Sequence, residues 1–133
     1  MLDGLTHEQQ MLQESTRRFV DEEMLPHEEL VDREGEVPLE LGRQIEARSK
    51  EVGLFAANLP EIVGGGGLDY TSMAVIEREF GRTSHALHAW VARPTELLLA
   101  TEGAQRERYL APCVGGTKRE LFALSEPEAG SDI

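Results

Sequence analysis

Leu12, Thr16, Phe19 and Val20 recur at the helical period, with Glu8, Glu14, Arg18 and Glu22 between them. Thr6 with Gln9 three residues on forms a capping box, in which each side chain accepts the other residue's backbone N–H. A first amphipathic helix is therefore predicted from there to Met24 or Leu25, ahead of Pro26. Pro38 suits the first turn of a second helix with Leu41, Ile45 and Val52 on its apolar side and Gly53 closing it in the left-handed conformation. The helical period disappears from Leu54 to Tyr70, where Pro60 and the run Gly64 to Gly67 mark a loop. A third helix, from about Thr71 to Arg82, carries Met73, Ile76 and Phe80 on one face. A fourth carries Leu87, Trp90, Val91 and Leu98 and is kinked or divided by Pro94, and a short fifth spans about Ala104 to Leu110.

After Pro112 and the pair Gly115-Gly116, the pattern changes class. The run Leu121-Phe122-Ala123-Leu124 is short, apolar and bounded by glycines, which predicts a strand. A single strand leaves N–H and C=O groups unpaired, at about 1 to 3 kcal/mol for each buried group. It is therefore expected to pair with polypeptide outside this sequence. The reading is a helical unit over residues 1–118, followed at 119–133 by the first strand and turn of another domain.

Composition narrows the function classes. The chain has 133 residues and a formal net charge of −12, a balance that disfavours nucleic acid or an anionic membrane surface as the main partner. Twelve of the 25 acidic residues but only three of the 13 basic ones fall within residues 1–40, so an anionic ligand would be better received by the later part. The single cysteine, Cys113, allows no internal disulfide and fits a reducing compartment. The longest apolar runs, such as Leu97-Leu98-Leu99-Ala100, are far short of the ~20 residues of a membrane helix. The first ten residues resemble neither a secretory signal nor a transit peptide, so the expected address is cytoplasmic.

Several features invite chemistry. The glycine run resembles a phosphate loop but continues as Leu68-Asp69 where a Walker loop needs Lys and then Ser or Thr, which favours a tight connection. His85 and His88 share a helix face at i, i+3, but neither a third ligand of metal-site spacing nor a cysteine pair accompanies them, and no metal is assigned. Cys113 has no nearby base to make a thiolate and reads as a small apolar filler. The segment Glu126 to Asp132 is the most informative. It follows a strand, turns at Pro127, and sets Gly130 where backbone N–H groups can approach a ligand, with the Ser131 hydroxyl beside it. Phosphate oxygens would suit it, and an ordinary hydrophilic turn is the alternative.

Leu124-Ser125-Glu126-Pro127-Glu128-Ala129-Gly130-Ser131-Asp132 resembles the L-(T/S)-E-P-x-x-G-S-D signature of acyl-CoA dehydrogenases, flavoenzymes that introduce a double bond beside a thioester. Pro60-Glu61-Ile62-Val63-Gly64-Gly65-Gly66-Gly67-Leu68 is similar to that family's P-E-x-x-G-G-x-G-L, at the usual distance from the later motif, and Gln105 to Leu110 resembles the helix before its first strand. The resemblance implies an all-α N-terminal domain, followed by a β-barrel middle domain and a C-terminal helical bundle. It implies FAD as cofactor, with Phe122, Leu124 and Ser125 beside the isoalloxazine ring, and Gly130 and Ser131 nearer the flavin chain and the CoA portion of the substrate. Ser131 thus also serves in substrate binding. Ser125 stands where threonine is commoner, which keeps the hydroxyl and loses a methyl.

The family's proton-abstracting glutamate belongs to the C-terminal bundle or a late helix, and no glutamate here matches either place, so no catalytic residue is assigned. Trp90 does not correspond to the middle-domain tryptophan that covers the flavin in relatives. The implied partners are an acyl-CoA substrate, an electron-transfer flavoprotein, and the C-terminal polypeptide or a partner subunit, with a homo-oligomer in the full-length form. Acyl-CoA oxidases and flavin monooxygenases are within the same fold. The rival reading from another class is a non-catalytic helical interaction module or split-subunit partner of a full-length relative.

Overall fold

The computed structural model describes residues 4–121 and 123–128. Helix α1 runs His7–Glu23 behind the anticipated capping box, Gln9 N donating to Thr6 Oγ1 at 3.2 Å and Thr6 N to Gln9 Oε1 at 3.1 Å. Its buried face is Thr16, Phe19 and Val20, and Met24 closes it inside the core. After a 3-10 turn, Leu25–His27, comes a helix the pattern did not predict, α2, Glu28–Glu34. Its sequence, EELVDRE, offers one buried side chain, Val31, and so no apolar period to read.

Helix α3, Leu39–Glu51, buries Gly42, Ile45 and Ser49. Val52, expected on its apolar side, is instead 42% exposed. The helix ends one residue before it, and the chain turns through Gly53, at φ +75°, so that Leu54 enters the core in its place. Leu54 N and Phe55 N both donate to the Ser49 carbonyl, at 2.8 and 3.3 Å. The expected loop that follows is not a surface excursion, because Leu54, Ala56, Ala57 and Leu59 are all buried.

Helix α4, Tyr70–Phe80, is capped by Asp69, whose Oδ1 accepts from Ser72 N at 2.7 Å. That hydrogen bond holds the Asp69 carboxyl below the ordinary aspartate value. Helix α4 packs along α1, with Phe19 and Phe80 meeting edge to face at a centroid distance of 6.3 Å. The predicted fourth helix is divided, as Pro94 requires, into α5, His85–His88, and a 3-10 turn, Glu96–Ala100. The predicted fifth helix goes further than expected: a π-turn, Arg106–Leu110, runs straight into α6, Ala111–Val114, through Pro112. Pro112 has no N–H for the Arg108 carbonyl four residues back, and Lys118 Nζ donates to that carbonyl at 2.9 Å. The fold class is the all-α one expected, and no helix among the described residues is long and apolar enough to cross a membrane.

Among the described residues of 119–125, none lies in a helix or strand. At the described positions 121, 123 and 124 of the predicted strand no strand is formed, Phe122 lies outside the described residues, and Glu126 takes part in an isolated β-bridge.

Candidate functional site

Of the five residues expected at a flavin site, the structure places two. Leu124 is 43% exposed and Ser125 lies beside it on the surface. Phe122, Gly130 and Ser131 fall outside the described residues. Leu121, two positions before Ala123, is 91% exposed. The described backbone N–H groups of 119–125 donate to no backbone carbonyl among the described residues. The segment presents an exposed apolar side chain and a hydroxyl together, a pair suited to the flat face and polar edge of a heteroaromatic ring.

This segment leaves the helical body from a firmly fixed base. The Lys50 ammonium donates to the Gly115 carbonyl at 2.9 Å and to Glu46 Oε1 at 2.6 Å. Arg119 Nη2 donates to Glu46 Oε2 at 2.7 Å, and Thr95 N donates to Glu120 Oε2 at 2.7 Å. Burial pushes the Glu46 carboxyl up, but the hydrogen bonds from Lys50 and Arg119 outweigh it, so it ionises below the ordinary glutamate value. Beside the base lies an open cavity of about 270 Å³ lined in part by Arg93, Pro94, Cys113, Lys118 and Glu120. Burial lowers the Arg93 pKa, and its ion pair with Glu77 opposes that shift only in part. The cations here are engaged within the chain, Arg93 with Glu77, Arg119 with Glu46 and Lys118 with the Arg108 carbonyl. Their grouping was legible only as the Lys118-Arg119 pair, since Arg93 arrives from a distant stretch.

The other candidates resolve on geometry. Every N–H of the glycine run is committed to backbone: Gly64 to Glu61 O, Gly65 to Pro60 O, Gly66 to Ala56 O and Gly67 to Leu59 O, at 2.8 to 3.2 Å. None is left to cradle a phosphate, so the run is a tight connection. The His85 and His88 rings stand edge to face with centroids 6.2 Å apart, and no group of three His, Cys, Asp or Glu side chains able to hold a metal occurs among the described residues. His88 is stacked on Phe80 at 4.8 Å, and burial, then Arg93 and His85, lower its pKa to about 4. The Cys113 thiol is buried and burial pushes its pKa up, the opposite of an activated nucleophile.

Comparison with known proteins identifies this helical body. The family model for the N-terminal domain of acyl-CoA dehydrogenases matches residues 6–117, and the chain belongs to that family. It is 35% identical to the probable acyl-CoA dehydrogenase YngJ of Bacillus subtilis, over 96% of this chain and 34% of that protein. It is 32% identical to CarC, the caffeyl-CoA reductase-Etf complex subunit of Acetobacterium woodii, again over 96% of this chain and 34% of the relative. The fold is similar to a crystal structure of an acyl-CoA dehydrogenase complexed with FAD from Bacillus anthracis, with a TM-score of 0.79 and 28% identity over 99% of this chain and 23% of that one. The chain thus spans about a third of the length of the curated relatives it matches.

Proposed function

We propose that this chain is the N-terminal portion of an FAD-dependent acyl-CoA dehydrogenase that carries out α,β-dehydrogenation of an acyl-CoA thioester. The observation that carries the reading is its likeness, over nearly its full length, to an acyl-CoA dehydrogenase solved with FAD. The exposed run through Leu124 and Ser125 supports it, because its hydroxyl fits the flavin's polar edge and its apolar side chain fits the ring face. In this reading Phe122, Leu124 and Ser125 hold the ring, while Gly130 and Ser131 reach the flavin chain and the CoA portion of the substrate. A bound flavin supplies a hydride acceptor for the β-hydrogen. The chain's own residues bind and orient, and the proton acceptor for the α-carbon stands on another stretch of polypeptide or on a partner subunit.

The likeness to a subunit of an Etf complex supports an electron-transfer flavoprotein as the redox partner. A cytoplasmic address and a homo-oligomeric full-length form complete the proposal. The test is to mix the purified chain with FAD, alone and with a separately produced middle and C-terminal portion of the Bacillus subtilis relative, and to record the visible spectrum. The expected result is a colourless chain that gains stoichiometric flavin in the second mixture. A chain that gains none in either overturns the reading. A yellow chain that oxidises acyl-CoA unaided overturns the assignment of the base to other polypeptide.

A further inference from the structure

We propose that Arg119 is a positioning residue, which locks the strap 115–120 onto α3 and Trp90 and so fixes the point from which Ser125 is presented. The functional consequence rests on the flavin reading above, whereas the clamp itself does not.

The geometry is that of one planar group meeting three partners at once. The Arg119 guanidinium lies 4.0 Å from the centroid of the Trp90 ring, donates through Nη1 to the Ala89 carbonyl at 3.2 Å and through Nη2 to Glu46 Oε2 at 2.7 Å. Its neighbours are fastened as well: Gly115 by Lys50, Lys118 to Arg108, and Glu120 to the Thr95 amide. Space is made for these bonds at two glycines. A Cβ at Gly42 would stand 2.0 Å from Trp90 Cε2, and one at Gly116 would stand 2.6 Å from Glu46 Oε1. The indole therefore sits flat on bare helix backbone, and the guanidinium covers its outer face. From Leu121 to Ser125 the described backbone amides donate to no described backbone carbonyl, and Ser125 follows Glu120 by five residues. Those five residues reach at most about 17 Å when extended, so the strap bounds where Ser125 can stand. A lysine at 119 keeps the charge but cannot stack, fork and bond the carbonyl together.

The test uses the 133-residue chain, in which Trp90 is the sole tryptophan and hence a built-in reporter. In a Cys113→Ser background, a dansyl group on Ser125→Cys accepts energy from Trp90, and time-resolved decay gives the distribution of separations. With Arg119 present the distribution is narrow. Arg119→Met and Arg119→Lys both broaden it at least twofold, and amide exchange at 117–120 accelerates at least tenfold, with far-ultraviolet circular dichroism unchanged. Gly42→Ala, which displaces the indole, broadens it in the same way with Arg119 intact. Unchanged distributions and exchange in Arg119→Met overturn the proposal, as does full rescue by lysine. Flavin binding is scored separately in the reconstituted mixture: a tenfold weaker FAD dissociation constant in Arg119→Met supports the positioning role, and an unaltered one with a broadened distribution overturns it. Absence of flavin from the unaltered mixture counts against the flavin reading alone, and the clamp is then judged on the energy-transfer and exchange data.

Discussion

Arg17 on α1 grips Glu79 on α4 with two hydrogen bonds, Nε to Oε2 at 3.0 Å and Nη2 to Oε1 at 2.9 Å. The Glu79 side chain is only 2% exposed, whereas that of Arg17 is 52% exposed, so one partner is sealed and the other half in water. Gln13 Nε2 adds a third bond to Oε1 at 2.9 Å, and Arg82 stands 3.5 Å from Oε2. A buried carboxylate is tolerable only with such company. The pair thus ties together the two helices that bring Phe19 against Phe80 in the core.

The asymmetry of exposure makes the two halves of this pair unequal. Glu79→Gln retains an acceptor for Gln13 and lets Arg17 turn to solvent, for a cost of about 1 to 2 kcal/mol. Arg17→Met strands a sealed carboxylate and lowers the urea midpoint further than Glu79→Gln does. The Arg17 hydrogen bonds, ahead of opposing burial, hold the Glu79 carboxyl below the ordinary glutamate value. Its stabilising contribution is therefore fully present above the unfolded value of about 4.3 and is lost as pH falls through the lower, folded value. Urea unfolding of the unaltered chain should weaken in that acid range, and the Glu79→Gln chain should lack this component.

His88 supplies a second pH dependence at higher pH. With its pKa lowered to about 4, the folded chain holds this imidazole neutral where the unfolded chain, titrating near 6.5, binds a proton. The unfolded state then carries more protons between those two values, so stability is complete above about pH 6.5 and falls on acidification toward pH 4, by up to about 1.4 kcal/mol per pH unit. His88→Phe keeps a ring stacked on Phe80 and cannot titrate. Urea midpoints measured from pH 4.5 to 7 should slope in the unaltered chain and flatten in this variant.

How far the sequence alone reaches is clear from such elements. Helices α1, α3 and α4 were legible because each has a stripe of apolar residues, and α1 and α3 also a recognisable start at Thr6 and Pro38, whereas the Asp69 cap of α4 emerged only from the structure. Helix α2 was not, because its acid-rich turns bury Val31 alone. The continuation through Pro112 was hidden too, since the donor that replaces the missing N–H is Lys118, a side chain from beyond the helix. At the candidate site, the motif that contains Leu124 and Ser125 was visible in the sequence, but the strap that precedes it was not. Glu46, Trp90 and Arg119 come together only through tertiary packing, and no local spacing links them.

The glycine run separates two reasons for glycine that substitution can tell apart. A Cβ on Gly65 would lie 2.1 Å from the Leu59 carbonyl oxygen, a backbone atom held in place by the Gly67 N–H bond at 2.8 Å. The obstruction is therefore not a flexible side chain that can swing aside, and Gly65→Ala should cost about 3 kcal/mol, the upper end for overpacking. Gly53 has no atom within 4 Å of its would-be Cβ but holds φ at +75°, so Gly53→Ala meets only the left-handed strain of about 1 to 2 kcal/mol. Urea unfolding should thus rank Gly65→Ala as the less stable of the two. Equal losses would mean that the Leu59 backbone yields, and that the run's tightness is not what holds the buried 54–59 stretch in place.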